Sequence, residues 1–278
     1  MAGSIKDRGR FIEQKDKRTR YVGAAWTEPQ GAIVLFEDFL GDVLADIPFV
    51  TVTQSGTPTT AAAISATAGD PTAGHGGWVA GATDDVDAEI DEVAIGGLGT
   101  GAGTPWLVPS RAGNGVLACE WAFTVPTALT ARQYFIGLSD DPVEGTATNG
   151  PMNITGTTTI VSPASDAAGF IFSSLATAPT VYKGASVDTA VDSALITGPT
   201  AVADTFTRLR VEIDAAGEVY LYGDVGNELT DGRALTYRGT TSVGVTETVP
   251  LLPVFTAAPT TTTSVPWEID YCFAACAR

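Results

Sequence analysis

The stretch TFTRLRVEIDAAGEVYLYGD, residues 205 to 224, restricts the fold more than any other part of the sequence. Leu209, Val211 and Ile213 alternate with Arg208, Arg210, Glu212 and Asp214, which is the two-residue period of a half-buried strand. Val219 and Leu221 then alternate with Tyr220 and Tyr222. The intervening DAAG supplies a short connection whose Gly217 can take the positive φ of a hairpin loop. A β-hairpin with one apolar and one wet face is therefore predicted. Such a hairpin needs further strands to bury its apolar side.

The rest of the chain supplies them. GVLACEWAFTV places Leu117, Cys119, Trp121 and Phe123 on one face, with Glu120 opposite. YFIGLSD, AAGFIFSS, TVYKG and VPLLPVFTA read as further strands. SVPWEIDYCFA is a last strand, with Val265, Trp267, Ile269, Tyr271 and Phe273 on one face. AIVLFEDFLGD opens the folded domain, Trp78 begins another strand, and DVDAEIDEVAIGG reads as a solvated edge strand protected by its charge. The segment from Val52 to Gly77 and the segment DPVEGTATNGPMNITGTTTIV read as turn-rich loops. With 31 Gly, 16 Pro and few long helix-forming side chains, about ten to twelve strands in a two-sheet antiparallel sandwich is the expected architecture. No apolar run approaches the roughly 18 residues of a membrane span, and MAGSIKDRGRF lacks the apolar core of a secretion signal. A soluble product made in the cytoplasm is expected.

Charge divides the chain in two. Residues 1–30 carry Lys6, Arg8, Arg10, Lys15, Lys17, Arg18 and Arg20 and a balance of +3, whereas residues 31–278 carry −20. The first part reads as an extended basic arm anchored by Phe11, Ile12, Tyr21, Val22 and Trp26, and the second as one sandwich domain. An acidic body repels phosphates, so neither nucleic acid nor an anionic membrane is an expected partner. The arm is suited to an acidic protein surface.

The acids of DAEIDEV raise the question of catalysis. Laminarinase-type glucanases carry a Glu-x-Asp-x-Glu strand whose alternate acids face the sugar. Glu89 and Asp91 fit and Asp87 shares their face, but position 93 is Val93 and Glu92 points the other way. WEIDYC, with Glu268, Asp270 and Cys272, fails in the same way. A cluster of Asp84, Asp85, Asp87, Glu89, Asp91 and Glu92 has the oxygens for Ca²⁺, yet alternating acids on a strand spread apart instead of converging. His75 is the only histidine, and Cys119, Cys272 and Cys276 are too few for a disulfide framework, so they read as buried thiols. No enzyme activity, cofactor or metal is expected.

Five segments together resemble the concanavalin A-like (laminin-G-like) structural proteins of tailed bacteriophages. They are VLFEDFLGD at 34–42, LACEWAFTVPTALTARQYFIGLSD at 117–140, SDAAGFIFSS at 165–174, ADTFTRLRVEIDAAGEVYLYGD at 203–224 and WEIDYCF at 267–273. The resemblance implies a jelly-roll sandwich and a non-enzymatic virion component. With the basic arm, it implies a capsid decoration or cement protein on the virion surface. Its partner would be the major capsid protein, and it would be a homo-oligomer, a trimer by analogy with decoration at threefold axes. The alternative is a tail-fibre or receptor-binding module that recognises glycan, to which Tyr220 and Tyr222 could contribute.

Overall fold

A computed structural model describes residues 33–37, 50–65, 78–86, 89–95, 116–125, 129–140, 150–155, 159–176, 180–191, 194–226, 235–246 and 249–276. The basic arm, and with it Lys6, Arg8, Arg10, Lys15, Lys17, Arg18 and Arg20, lies outside the described residues, as do His75 and Asp87. Among the described residues there are eighteen strands and no helix. In chain order they are β1 (Ile33–Glu37), β2 (Val50–Gln54), β3 (Thr60–Ser65), β4 (Trp78–Ala82), β5 (Asp91–Ile95) and β6 (Val116–Thr124). Next come β7 (Arg132–Ser139), β8 (Asn153–Thr155), β9 (Thr159–Val161), β10 (Asp166–Ser173), β11 (Val181–Asp188) and β12 (Ala190–Val191). The last six are β13 (Ile196–Thr200), β14 (Phe206–Asp214), β15 (Val219–Val225), β16 (Tyr237–Thr240), β17 (Leu252–Pro259) and β18 (Pro266–Cys276).

They form two packed antiparallel sheets. Sheet one runs β16-β15-β14-β6-β18-β4-β3, with β1 also paired to β18, and sheet two runs β12-β11-β10-β7-β17-β5-β2, with β13 also paired to β11. β8 and β9 form a separate hairpin. The last two strands thus lie in mid-sheet, β18 between β6 and β4, and β17 between β7 and β5.

The opening hairpin forms as its alternation predicts. β14 and β15 pair from Thr207↔Val225 to Ile213↔Val219, and Gly217 turns the chain at φ +80°. Leu209, Val211, Ile213, Val219 and Leu221 are buried between the sheets, as are Leu117, Cys119, Trp121 and Phe123 from β6. From sheet two, Phe255 reaches into the middle of this layer. Its ring centroid lies 5.4 Å from Phe123, 6.0 Å from Trp121 and from Tyr134, and 6.2 Å from Trp267. Each such ring contributes about 1.5–3 kcal/mol by leaving water. Edge and tilted contacts add to that.

Several expectations are corrected. The second face of β14 is not wet, because Arg208 and Arg210 are each only 2% exposed. Arg210 lies between Glu120 and Tyr222 in register, pairs with Glu120 at 3.7 Å and with Glu212, and Glu120 also accepts the Tyr271 hydroxyl. Charge alternation marked the face correctly but not its environment. β18 does not keep one face throughout. Its register to β6 shifts between Ile269 and Tyr271, a bulge that leaves Val265, Trp267 and Ile269 in the main core while Tyr271 and Phe273 join a second cluster with Ala122 and Ala275. The acidic strand β5 is not an edge, because it pairs with both β2 and β17, and Asp91 and Glu92 are buried. The first of the two segments read as loops holds most of β2 and all of β3, and the second holds β8 and β9. Met152 and Ile154 of the latter join the main core.

Candidate functional site

At one end of the sandwich, β5 begins beside the loop that joins β2 to β3. The parity of β5 sends Asp91 and Val93 toward the opposite sheet and Glu92 away from it, since Val93 is in register with the inward Phe255. Asp91 is accordingly 1% exposed. Its Oδ2 accepts the indole N–H of Trp267 from sheet one at 2.7 Å and the side-chain amide of Gln54 at 2.8 Å. Its Oδ1, also buried, has no hydrogen-bond partner. Burial pushes the carboxyl up to about 6, and the charge of Glu89 adds to the effect, against the two bonds that favour the ion.

Glu89 precedes Asp91 by two residues and is half-buried, with Oε2 enclosed and lacking a hydrogen-bond partner. Its carboxylate fills a notch at Gly56, where φ is +66° and an added Cβ would lie 1.5 Å from Oε2. The walls are tied together by polar contacts. Ser55 N donates to the Ile90 carbonyl at 3.0 Å, and Thr57 N donates to Asp84 Oδ2 at 2.7 Å. Backbone donors, Thr57 first, hold the Asp84 carboxyl below its usual range. Asp85 is exposed.

The sequence thus placed Glu89 and Asp91 together correctly, but their surroundings are not those of a sugar-cleaving strand. A retaining hydrolase needs two carboxyls about 5–5.5 Å apart across an open groove. Asp91 instead faces the inter-sheet layer, bonded to Trp267, and Glu92 leaves on the other side. Asp270 is buried at the β18 bulge, while Glu268 is half-buried with its carboxyl raised, by burial first and then by Asp204. Among the described residues no three His, Cys, Asp or Glu side chains come together as a metal-binding group. Cys119 and Cys272 are buried free thiols.

Another group of acids holds loops in place. Asp140 accepts Asp166 N at 3.1 Å, Asp166 accepts Thr246 N, and Asp188 accepts the Thr246 hydroxyl at 3.0 Å. The tyrosines lie at the β15–β16 edge. The rings of Tyr222 and Tyr237 are 5.4 Å apart at 57°, and Tyr237 is 53% exposed. Beside them Arg238 pairs with Asp224 at 3.0 Å. Tyr220 is turned to acids, donating to Glu218 at 2.8 Å and to Asp214 at 3.2 Å, and the bond to Glu218 is the main cause of its raised hydroxyl. Tyr237 was not singled out by sequence, because its strand is only four residues long and too short to show a period.

Two solved structures place this architecture. A protein of unknown function from Shewanella oneidensis is similar at a TM-score of 0.55 and 14% identity, over 94% of this chain and 93% of that one. Peanut lectin, solved with a nine-residue peptide, is similar at a TM-score of 0.50 and 9% identity, over 88% of this chain and 97% of that one. The fold is a concanavalin A-like jelly roll. At these identities the likeness is one of fold alone. No protein-family model and no curated protein sequence matches the chain.

Proposed function

We propose that the chain is a non-enzymatic virion structural protein that decorates or cements a bacteriophage capsid shell, with residues 1–30 as the docking element. The observation that carries the non-catalytic part is the inward course of Asp91. The acid best placed by sequence for hydrolysis is spent on Trp267 and Gln54 inside the sandwich. The five segments of phage-type resemblance support the virion assignment. The contrast between a +3 arm and a −20 body supports docking through the arm onto an acidic surface of the major capsid protein. A trimer is the oligomer this reading implies, on the capsid surface after synthesis in the host cytoplasm.

Immunolabelling of virions tests the assignment, with label expected on the head. Deleting residues 1–30 is expected to leave a β-rich soluble body that no longer binds particles. Label on the tail, or undiminished binding of the truncated body, would refute the decoration reading. A glycan-binding role is the second reading, and the Tyr222–Tyr237 pair favours it, since an exposed ring beside an Arg–Asp pair can meet both the face and the hydroxyls of a sugar. Specific binding on a glycan array that disappears in Tyr222→Ala, Tyr237→Ala would establish it.

A further inference from the structure

We infer that the open edge of β2 is the surface on which a second copy of this chain docks, strand to strand and antiparallel, so that sheet two of one copy continues into sheet two of the other. The inference is independent of the capsid assignment, and a twofold contact of this kind adds to a threefold one instead of replacing it. An exposed edge is a row of unmade backbone hydrogen bonds, and soluble proteins blunt it with charge, proline, a bulge or brevity. The end strands β12, β16 and β3 carry such devices. β12 is two residues long, and beside it β13 carries Pro199 and leans on sheet one where Ile196 meets Gly239. β16 breaks register between Leu221 and Tyr222 and carries Arg238. β3 is bulged between Thr60 and Ala63, and the Gln54 side chain reaches across to accept Ala62 N at 2.7 Å and to donate to the Thr60 carbonyl at 3.2 Å.

β2 has none of these devices. Its residues, VTVTQ, pair with β5 without a break from Val50↔Ile95 to Gln54↔Asp91, and among the described residues no strand lies beyond it. Hydrogen-bond alternation fixes what the edge presents. Ser55 N donates to the Ile90 carbonyl at 3.0 Å, so Thr51, Thr53 and Ser55 bond to β5, while the N–H and C=O groups of Val50, Val52 and Gln54 face the open side. Val50 and Val52 turn their side chains toward the core and remain half-buried, which leaves Thr51 and Thr53 on the outer face. Two features name the occupant. The strand is self-complementary: an antiparallel pair centred on Val52 sets Val52 against Val52 and Thr51 against Thr53, and completes the cover of both valines. The edge is also free of charge, since residues 47–69 contain no Asp, Glu, Lys or Arg. Bodies of −20 repel one another and meet closely only where acids are absent. A basic arm finds no acid on this strand to pair with. β3, on the same side, exposes only Thr60, Ala61 and Ala63, which are too short to hold a second copy off.

Sedimentation velocity of the full chain from about 5 to about 500 µM tests the pairing, because one strand pair is a small contact and dissociates on dilution. A rise from the 28.6 kDa monomer to twice that mass is expected, and it should strengthen when NaCl is raised from about 50 to about 500 mM, as screening relieves the repulsion. Val52→Pro removes an N–H that faces the open side and no bond to β5, and is expected to abolish the dimer. Thr51→Lys, Thr53→Lys sets lysines opposite lysines on the outer face and is expected to do the same in a chain with an unchanged β spectrum. Amide exchange adds a signature that no other contact gives: Val50, Val52 and Gln54 should gain protection with concentration, while Thr53 and Ser55 are protected throughout. A monomer at every concentration, or a dimer that survives in both variants, would overturn the inference. So would association that weakens with salt, the mark of an arm on an acidic body, or equal protection of Val50, Val52 and Gln54 at both ends of the concentration range.

Discussion

Replacing Glu120 by glutamine tests the buried outer face of sheet one. Its place opposite Leu117, Cys119 and Trp121 makes it a surface residue by alternation, and a surface change of this kind costs under about 0.5 kcal/mol. The structure gives a different magnitude. Glu120 is 1% exposed, accepts the Tyr271 hydroxyl on Oε1 and has Arg210 Nη1 3.7 Å from Oε2. Glutamine keeps an acceptor for Tyr271 but turns a charged bond worth about 1.5–3 kcal/mol into a neutral one worth about 0.5–1.5, a loss of about 1. Arg210 also loses a carboxylate partner. Breaking a buried pair outright costs about 3–5 kcal/mol, and because Glu212 still faces Arg210 the fraction lost here is about 1–2. The total, about 2–3 kcal/mol, corresponds to a fall in thermal midpoint of about 4–12 °C for a domain of this size. Urea unfolding of the wild type, Glu120→Gln, Tyr271→Phe and the double mutant measures it, with a Glu120–Tyr271 coupling of about 1 kcal/mol expected. A cost below about 0.5 kcal/mol with no coupling would refute the reasoning and return Glu120 to the surface.

Trp121→Ala, at a fully buried ring against Phe255, is expected to cost about 3–5 kcal/mol by denaturant midpoint. Gly217→Ala is expected to cost about 2 kcal/mol or more by the same measurement. A side chain at φ +80° is strained, and its Cβ would lie 2.3 Å from the Val245 carbonyl oxygen. Burial, with the nearby charge of Asp166, raises the Asp140 carboxyl. The ionised form is therefore penalised above the raised value, and the penalty disappears as pH falls below it. Melting curves of Asp140→Asn are accordingly expected to show its advantage over the wild type shrinking between pH 7.5 and 4. An advantage that grows on acidification would contradict the assigned direction.

Alternation made the β14–β15 hairpin and the inward face of β6 legible, because a two-residue period survives whatever packs against it. It also located the first half of β18. What followed was hidden by the bulge after Ile269, where one extra residue reverses the face of Tyr271 and Phe273 without leaving a mark in composition. β2, β3, β8 and β9 are rich in Thr, Ala, Ile and Asn, and they become strands through pairing with neighbours that their own composition does not announce. The place of β5 was misread for a related reason. Acids protect exposed edges, but they also enter a sandwich when partners await them, and neither Trp267 nor Gln54 is recognisable as the partner of Asp91 before the sheets are assembled. Glu89 and Asp91 were legible as a pair of acids. The unmet oxygens and the notch at Gly56 were not.

The mid-sheet positions of β17 and β18 bear on how the protein is made. A chain emerging from the ribosome presents β2 to β5 early and β6 to β16 later, and within the sheets these two groups meet only through residues 252–276. Until those residues are released, β4 and β5 on one side and β6 and β7 on the other each hold an open edge, and the aromatic layer lacks Phe255 and Trp267. Closure then falls to β17 and β18, inserted between strands synthesised before them. Such late, long-range pairing is slow and leaves edges exposed to the wrong partner. The segment best matched to those vacant edges is the β17–β18 pair of another nascent copy. Dense synthesis on a single message would therefore favour exchange of residues 252–276 between chains, giving an interlocked dimer with the sheet order of the monomer.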